Sequence, residues 1–244
     1  MAISCQAPAQ ARRRNSQTHC GQAMQIPIVR NILEANEKMA DELRADFDRR
    51  GILCLNLISS PGAGKTTLLE HTLADLAPRF KMAVIEGDLQ TDNDARRVAA
   101  SGCQAVQINT SGGCHLNSSM VAEAFRQLDP DGLDILFIEN VGNLVCPVEF
   151  DCGEDAKIAI LSVAEGDDKP EKYPLLFHLA QCMLLTKTDL LPHVDFDSER
   201  AFHLARKLNP GLDIIEISCR REQGLQAWYE WLAAALAKKR HRGG

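Results

Sequence analysis

The order of patterns along the chain predicts an α/β fold in three layers, with helices covering both faces of a mostly parallel central sheet. Three observations carry this. Short runs dense in Val, Ile and Leu alternate with segments of helical period, and strands that are apolar throughout are the kind buried on both faces. The first of those runs passes directly into a glycine-rich turn and then into a Leu-rich helix start. With 244 residues, 45% of them apolar, the chain is long enough to bury a core of that kind.

Residues 1–25 are rich in Gln, Ala, Arg and Ser with no hydrophobic period, so a disordered arm is expected there. From Ile26 to Arg49, the residues Val29, Ile32, Leu33, Met39, Leu43 and Phe47 recur near helical spacing, and Gly51 stops the helix they predict. Strands are expected at Ile52 to Ile58, Met82 to Glu86, Ala105 to Ile108, Leu133 to Glu139, Ile158 to Val163, Cys182 to Thr186 and Asp213 to Ile217. Between and after them, helices are expected at Lys65 to Ala77, Asp92 to Ser101, His115 to Leu128, Asp197 to Lys207 and Gln223 to Lys238. The pattern gives one domain over 26–238, with its N-terminal helix, followed by a basic tail at 239–244.

A net charge of −6 and a pI near 5.7 exclude a broad nucleic-acid or anionic-membrane footprint, which needs clustered Lys and Arg. The basic runs Arg12 to Arg14 and Lys238 to Arg242 lie near the termini and read as solvated tails. No window approaches the roughly 20 apolar residues of a membrane span, and Arg12 to Arg14 interrupt the place of a secretory signal, so a cytoplasmic protein is expected. In that reducing compartment its nine cysteines are either small buried hydrophobes or metal and redox ligands.

The strongest local signal is Ser59-Ser60-Pro61-Gly62-Ala63-Gly64-Lys65-Thr66-Thr67, set between a strand and a helix start. Gly62, Ala63 and Gly64 can turn backbone N–H groups towards phosphate oxygens. Lys65 reaches the β- and γ-phosphates, and the Thr66 hydroxyl suits Mg²⁺. Ser59 stands where the commonest form of this loop has its first glycine. The fold class is therefore a three-layer P-loop NTPase.

Base choice is read from Leu184-Leu185-Thr186-Lys187-Thr188-Asp189, which is similar to the Asn-Lys-x-Asp guanine motif with Thr in first place. The Asp189 carboxylate can accept from the two donors on guanine that adenine lacks, while Lys187 lies along the base. GTP is the expected nucleotide. Ser218 and Cys219, after the last strand, occupy the place of the loop that backs the base.

Two further acids stand at strand ends: Asp88, and Glu139 in Ile138-Glu139-Asn140-Val141-Gly142. Parallel sheets gather ligands at the C-terminal ends of their strands, so both are candidates to face Mg²⁺ and the γ-phosphate, with the Gly142 N–H presented to that phosphate. Neither segment carries a Gln or Arg finger, so slow intrinsic turnover is expected.

Among the cysteines, Cys114-His115 follows Ser111-Gly112-Gly113 at an expected helix start, a place that favours thiolate, and Cys146 lies four residues after Gly142. Two thiolates and an imidazole suit Ni²⁺ or Zn²⁺ and leave a position open for a partner or a recipient. Cys54, Cys103, Cys182 and Cys219 fall in or beside apolar strands and read as core, whereas Cys152 fits either a turn or an extra ligand.

Taken together, these stretches resemble the hydrogenase nickel-incorporation GTPases of the HypB family from Ile28 to about Leu236. The matching segments are Asn56 to Thr66, Glu86-Gly87-Asp88, Gly112 to Leu116, Glu139 to Pro147, Leu161 to Val163 and Lys169-Pro170. The resemblance implies a homodimer formed on GTP binding, with metal shared at its interface through Cys114, His115 and Cys146. It also implies nickel delivery to the large subunit of [NiFe]-hydrogenase together with a HypA-family metallochaperone. The Cys-rich N-terminal nickel site and His-rich stretch of some members are absent, because Cys5, His19 and Cys20 are too sparse for either. Two rivals remain: an accessory GTPase for another nickel enzyme such as urease, and a metal-buffering protein stabilised by its nucleotide.

Overall fold

The computed structural model describes residues 28–87, 103–110 and 112–242. The expected arm, the expected helix at Asp92 to Ser101, Asp88, and the metal-capable Cys5, His19 and Cys20 lie outside the described residues. In chain order the main elements are α1 (Ile28–Arg50), β1 (Leu53–Ser59), α2 (Lys65–Leu76), β2 (Met82–Glu86), β3 (Gln104–Gln107) and α3 (Ser118–Phe125). They continue with β4 (Ile135–Glu139), α4 (Cys146–Glu149), β5 (Ala156–Ser162), α5 (Lys169–Lys172), α6 (Pro174–Leu179), β6 (Cys182–Thr186), α7 (Ser198–Leu208), β7 (Asp213–Glu216) and α8 (Leu225–Arg242). Short 3-10 segments follow β5, β6 and β7, at Val163–Glu165, Thr188–His193 and Cys219–Arg221.

The seven strands form one sheet in the order β3-β2-β4-β1-β5-β6-β7, and each adjacent pair is parallel. Alternation along β1 separates the layers. Leu53, Leu55 and Leu57 point to one face, where Leu68, Leu69 and Leu73 of α2 and Trp228, Leu232 and Leu236 of α8 cover them. Cys54 and Ile58 point to the other, packed by Leu43 and Phe47 of α1, Val121 and Phe125 of α3, and Phe177 and Phe202 of α6 and α7. Burial on both faces explains why the central strands read as continuous apolar runs, whereas the edge strands β3 and β7 carry polar ends.

Helix α1 buries Asn36, Ala40, Leu43 and Phe47, spaced four, three and four residues apart, and Phe47 meets Phe125 edge-on at 5.0 Å. At the far end the expected basic tail is corrected: α8 continues to Arg242, and Lys239 is 6% exposed. Lys239 continues the stripe Leu232, Leu236 onto the sheet, where its ammonium meets Asp155 at 2.6 Å and Asp48 at 2.5 Å. The stem buries while the charge is paired. No helix of the described residues is long and apolar enough to cross a membrane.

Candidate nucleotide site and metal centre

Because the sheet is parallel, Ser59, Glu86, Glu139 and Thr186 all end their strands on one edge. There the chain leaves β1, turns through Gly62 (φ 75°) and Gly64 (φ 99°), and enters α2 at Lys65. Both glycines lie in the left-handed region, which side chains other than glycine adopt at a cost. Lys65, 5% exposed, donates to Ser59 Oγ at 2.8 Å. That contact accounts for the variant first position: the Ser59 hydroxyl holds the lysine over the loop. Thr66 Oγ1 donates to Glu139 Oε1 at 2.8 Å, so a hydroxyl and a carboxylate, both hard oxygen donors, stand together where α2 begins. That pair fits Mg²⁺, which takes one or two protein oxygens and completes its shell from phosphate and water.

The base motif closes over the same loop. Lys187, at φ 59°, donates to the Gly62 carbonyl at 2.6 Å, and Thr186 Oγ1 donates to the Ala63 carbonyl at 2.7 Å. Thr186 thus ties the base loop to the phosphate loop. Asp189 Oδ1 accepts from Ser218 Oγ at 2.7 Å, and that bond holds the Asp189 carboxyl below the usual carboxylate range. A cavity of 260 Å³ opens beside them, lined in part by Gly64, Thr67, Lys187, Asp189 and Cys219. Burial pushes the Cys219 thiol up to about 11, so it faces the cavity as a neutral group. An ionised acceptor at one end of a slot of this kind matches the donor edge of guanine.

Gly142 is wedged against the phosphate loop. A Cβ there would fall 2.9 Å from Pro61 Cγ and 3.0 Å from its Cα and N. Four residues on, Cys146 opens α4 and meets Cys114 and His115, the ligand atoms of the three lying within 4.8 Å of one another. Cys114 Sγ is 3.5 Å from His115 Nδ1, and the His115 ring stacks on Phe150 with centroids 3.8 Å apart. Burial lowers the pKa of His115 and so favours the neutral imidazole a metal requires.

Two expectations are corrected here. The helix expected from His115 starts at Ser118, because Asn117 takes the N-cap and accepts from the Met120 N–H. Cys114 therefore lies in the loop ahead of the helix, and a hydrogen bond with Cys146 raises its pKa rather than favouring thiolate. Cys152 is no ligand in this arrangement: it is buried, with its thiol 3.4 Å from the Leu116 carbonyl oxygen. Sequence reasoning passed over Asn140 and Asn143. Asn140 Oδ1 accepts from the Leu116 N–H at 3.0 Å, and Asn143 Nδ2 donates to the Cys114 carbonyl at 3.2 Å. The available signal was a polar residue beside an apolar strand, which burial obliges to find partners.

Fold and site together define a P-loop nucleotide-binding domain with a base-sized pocket beside Asp189 and a thiol–imidazole cluster on the segment that follows Glu139. The family pattern described as "CobW/HypB/UreG, nucleotide-binding domain" matches residues 53–216. The hydrogenase maturation factor HypB of Azotobacter chroococcum mcd 1 is 54% identical over 213 residues, covering 86% of this chain and 69% of the relative. HypB of Escherichia coli K12 is 51% identical over 211 residues, covering 86% and 73%. The crystal structure of HypB from Helicobacter pylori in complex with nickel superposes with a TM-score of 0.80 at 39% identity, covering 84% of this chain and 96% of that one. The chain belongs to the CobW/HypB/UreG family and, within it, to the HypB hydrogenase maturation factors.

Proposed function

We propose that this chain is a cytoplasmic, GTP-hydrolysing nickel metallochaperone that helps insert nickel into [NiFe]-hydrogenase. The observation that carries this reading is the position of Cys146, on the same short segment as Glu139 and Gly142, within ligand reach of Cys114 and His115. The complex of the Helicobacter pylori relative with nickel supports nickel as the cargo.

In this reading one GTPase domain, from α1 through α8, carries the activity. GTP binds with its base against Asp189 and its phosphates over the Gly62 to Thr66 loop. Lys65 leaves Ser59 for the phosphate oxygens, and Asp88, Glu139 and the Gly142 N–H gather around the γ-phosphate. Thr66, Asp88 and Glu139 would hold Mg²⁺, which would supply positive charge to the phosphates when bound. Cys114, His115 and Cys146 bind nickel and give up two thiol protons on doing so, since thiolate is the ligand form.

GTP closes a two-fold dimer that brings two such clusters together, and hydrolysis loosens it for transfer. Val145, apolar and 52% exposed beside Cys146, fits that interface. A HypA-family metallochaperone and the hydrogenase large subunit are the partners this scheme requires. The test is nickel-dependent GTP turnover and oligomeric state. Size chromatography with GDP and with a non-hydrolysable GTP analogue should give a larger dimer fraction in the second, and Cys114→Ala or Cys146→Ala should weaken nickel binding. Equal dimer fractions, unchanged nickel affinity in both variants, or no turnover with metal and partners present would refute it.

A further inference from the structure

Between the phosphate loop and the thiol cluster lies a buried amide to which the scheme above gives no role. Asn140 follows Glu139 and is 0% exposed. Its Oδ1 accepts from the N–H groups of both Leu116 and Val141 at 3.0 Å, and its Nδ2 donates to Asn56 Oδ1 at 3.1 Å. Asn56, in the middle of β1, in turn reaches Glu154 Oε1 at 3.4 Å, and the Asn140 backbone N–H donates to the Leu57 carbonyl at 3.2 Å. One side chain therefore joins the strand that feeds the phosphate loop, the residue after Glu139, and the backbone directly after Cys114-His115.

The link is stiff. Leu116 is 0% exposed and fills the space over Gly87, where a Cβ would fall 2.6 Å from Leu116 Cγ. Leu116 cannot retreat towards Gly87 when its amide is pulled, nor can water replace its bond to Asn140. Breaking that bond would strand a buried N–H and a buried amide oxygen, so displacement of the Glu139 segment carries Leu116 with it. The second tie, from Asn143 to the Cys114 carbonyl, is exposed, and solvent can take its place.

We infer that Asn140 is the positioning residue that transmits nucleotide state from the Glu139–Gly142 segment to the Cys114-His115 half of the metal site. The inference rests on the proposed reading of that cluster as a nickel site switched by GTP. It adds a second arm to the switch: Cys146 moves with the segment through the chain, and Cys114 and His115 move through a hydrogen bond.

The test titrates Ni²⁺ into the full chain loaded with GDP or with a non-hydrolysable GTP analogue, and compares wild type with Asn140→Ala. The ratio of the two nickel affinities is the readout. In wild type it should fall in the roughly 5- to 150-fold span of coupled sites, and in the variant it should collapse to within about twofold. Nucleotide affinity should change by less than about threefold, because the Asn140 side chain bonds only to Leu116, Val141 and Asn56, none of them assigned to nucleotide. A variant that keeps the wild-type ratio overturns the inference alone. A wild-type ratio of one overturns the underlying reading and the inference with it. Should Asn140→Ala fail to fold, Asn56→Ala removes the partner that orients the amide, together with the longer Asn56–Glu154 contact, and leaves the Asn140 bond to Leu116 in place. It should then at least halve the ratio, and an unchanged ratio there overturns the inference equally.

Discussion

Gly142→Ala tests the wedge between the segment after β4 and the phosphate loop. The added methyl would meet three Pro61 atoms at 2.9–3.0 Å, where ordinary contact begins at 3.4 Å, a deficit of about half an ångström. Two of those atoms are backbone, and the third belongs to a ring whose φ is fixed, so no side-chain rotation relieves the clash. Overpacking of this kind costs about 1–3 kcal/mol. The segment can relieve it by moving outwards, so the cost falls on the closed arrangement and not on the fold. At 1.36 kcal/mol per factor of ten, kcat for GTP should fall about 5- to 150-fold. GDP lacks the γ-phosphate that the proposed scheme gives to Gly142, so its affinity should change by less than about threefold. Phosphate release under single-turnover conditions and titration with fluorescent GDP measure the two quantities. A hydrolysis rate within twofold of wild type would refute the wedge.

Asp189→Ala removes the ionised acceptor of the base pocket and should weaken GDP binding by at least about tenfold, with little change for ATP; a GDP affinity within threefold of wild type would count against guanine reading there. Thr72→Val strands the Trp228 Nε1–H, which donates to Thr72 Oγ1 at 3.0 Å in the buried seam between α2 and α8. It should cost about 1–3 kcal/mol in urea unfolding, and a loss below 0.5 kcal/mol would contradict that anchoring. Asp151 is pulled upwards by burial, but the Gly153 N–H and the Arg44 guanidinium prevail and hold its carboxyl below the ordinary range. A depressed folded pKa stabilises above the unfolded value and is lost as pH falls through the folded one. Asp151→Asn should thus be less stable than wild type at pH 7 by about 0.2–1 kcal/mol, given how exposed the pair is, and equal to it near pH 2. A difference that persists unchanged at pH 2 would assign the loss to something other than charge.

Local patterns were legible where local chemistry decides. The seven strands lie where the apolar runs lie, and the phosphate loop announces itself because strand, glycine turn and helix are contiguous. What failed depended on competition or on contacts distant in sequence. His115 looked like a helix start until Asn117 captured the cap two residues later. The basic run at Lys238 to Arg242 looked like a tail because charge outweighed period, yet Lys239 sits three residues after Leu236, on the buried stripe. The segment between β5 and β6 folds into two short proline-started helices, α5 and α6, too brief for a period to show. Asn56 and Asn140 are 84 residues apart, and only the parallel pairing of β1 with β4 makes them partners.

That pairing also explains why the Cys114-His115-Cys146 cluster and the phosphate loop share a neighbourhood at all. A parallel sheet sends all its strand ends to one edge, so the loops after β1, β3 and β4 crowd together whatever their individual sequences. Between Glu139, bonded to Thr66, and Cys146, beside Cys114, there are only six intervening residues. Of these, Asn140 is held by Leu116 and Asn56, Gly142 is pressed against Pro61, and Asn143 is bonded to Cys114. A segment this short, held at three points, has no slack in which a displacement at the phosphate end could be absorbed. The proposed coupling draws on this packing, since an outward shift of the segment pulls on its ties to both groups of residues. The same reasoning assigns the exposed Asn143 tie a smaller share than buried Asn140, since water replaces the first bond and not the second.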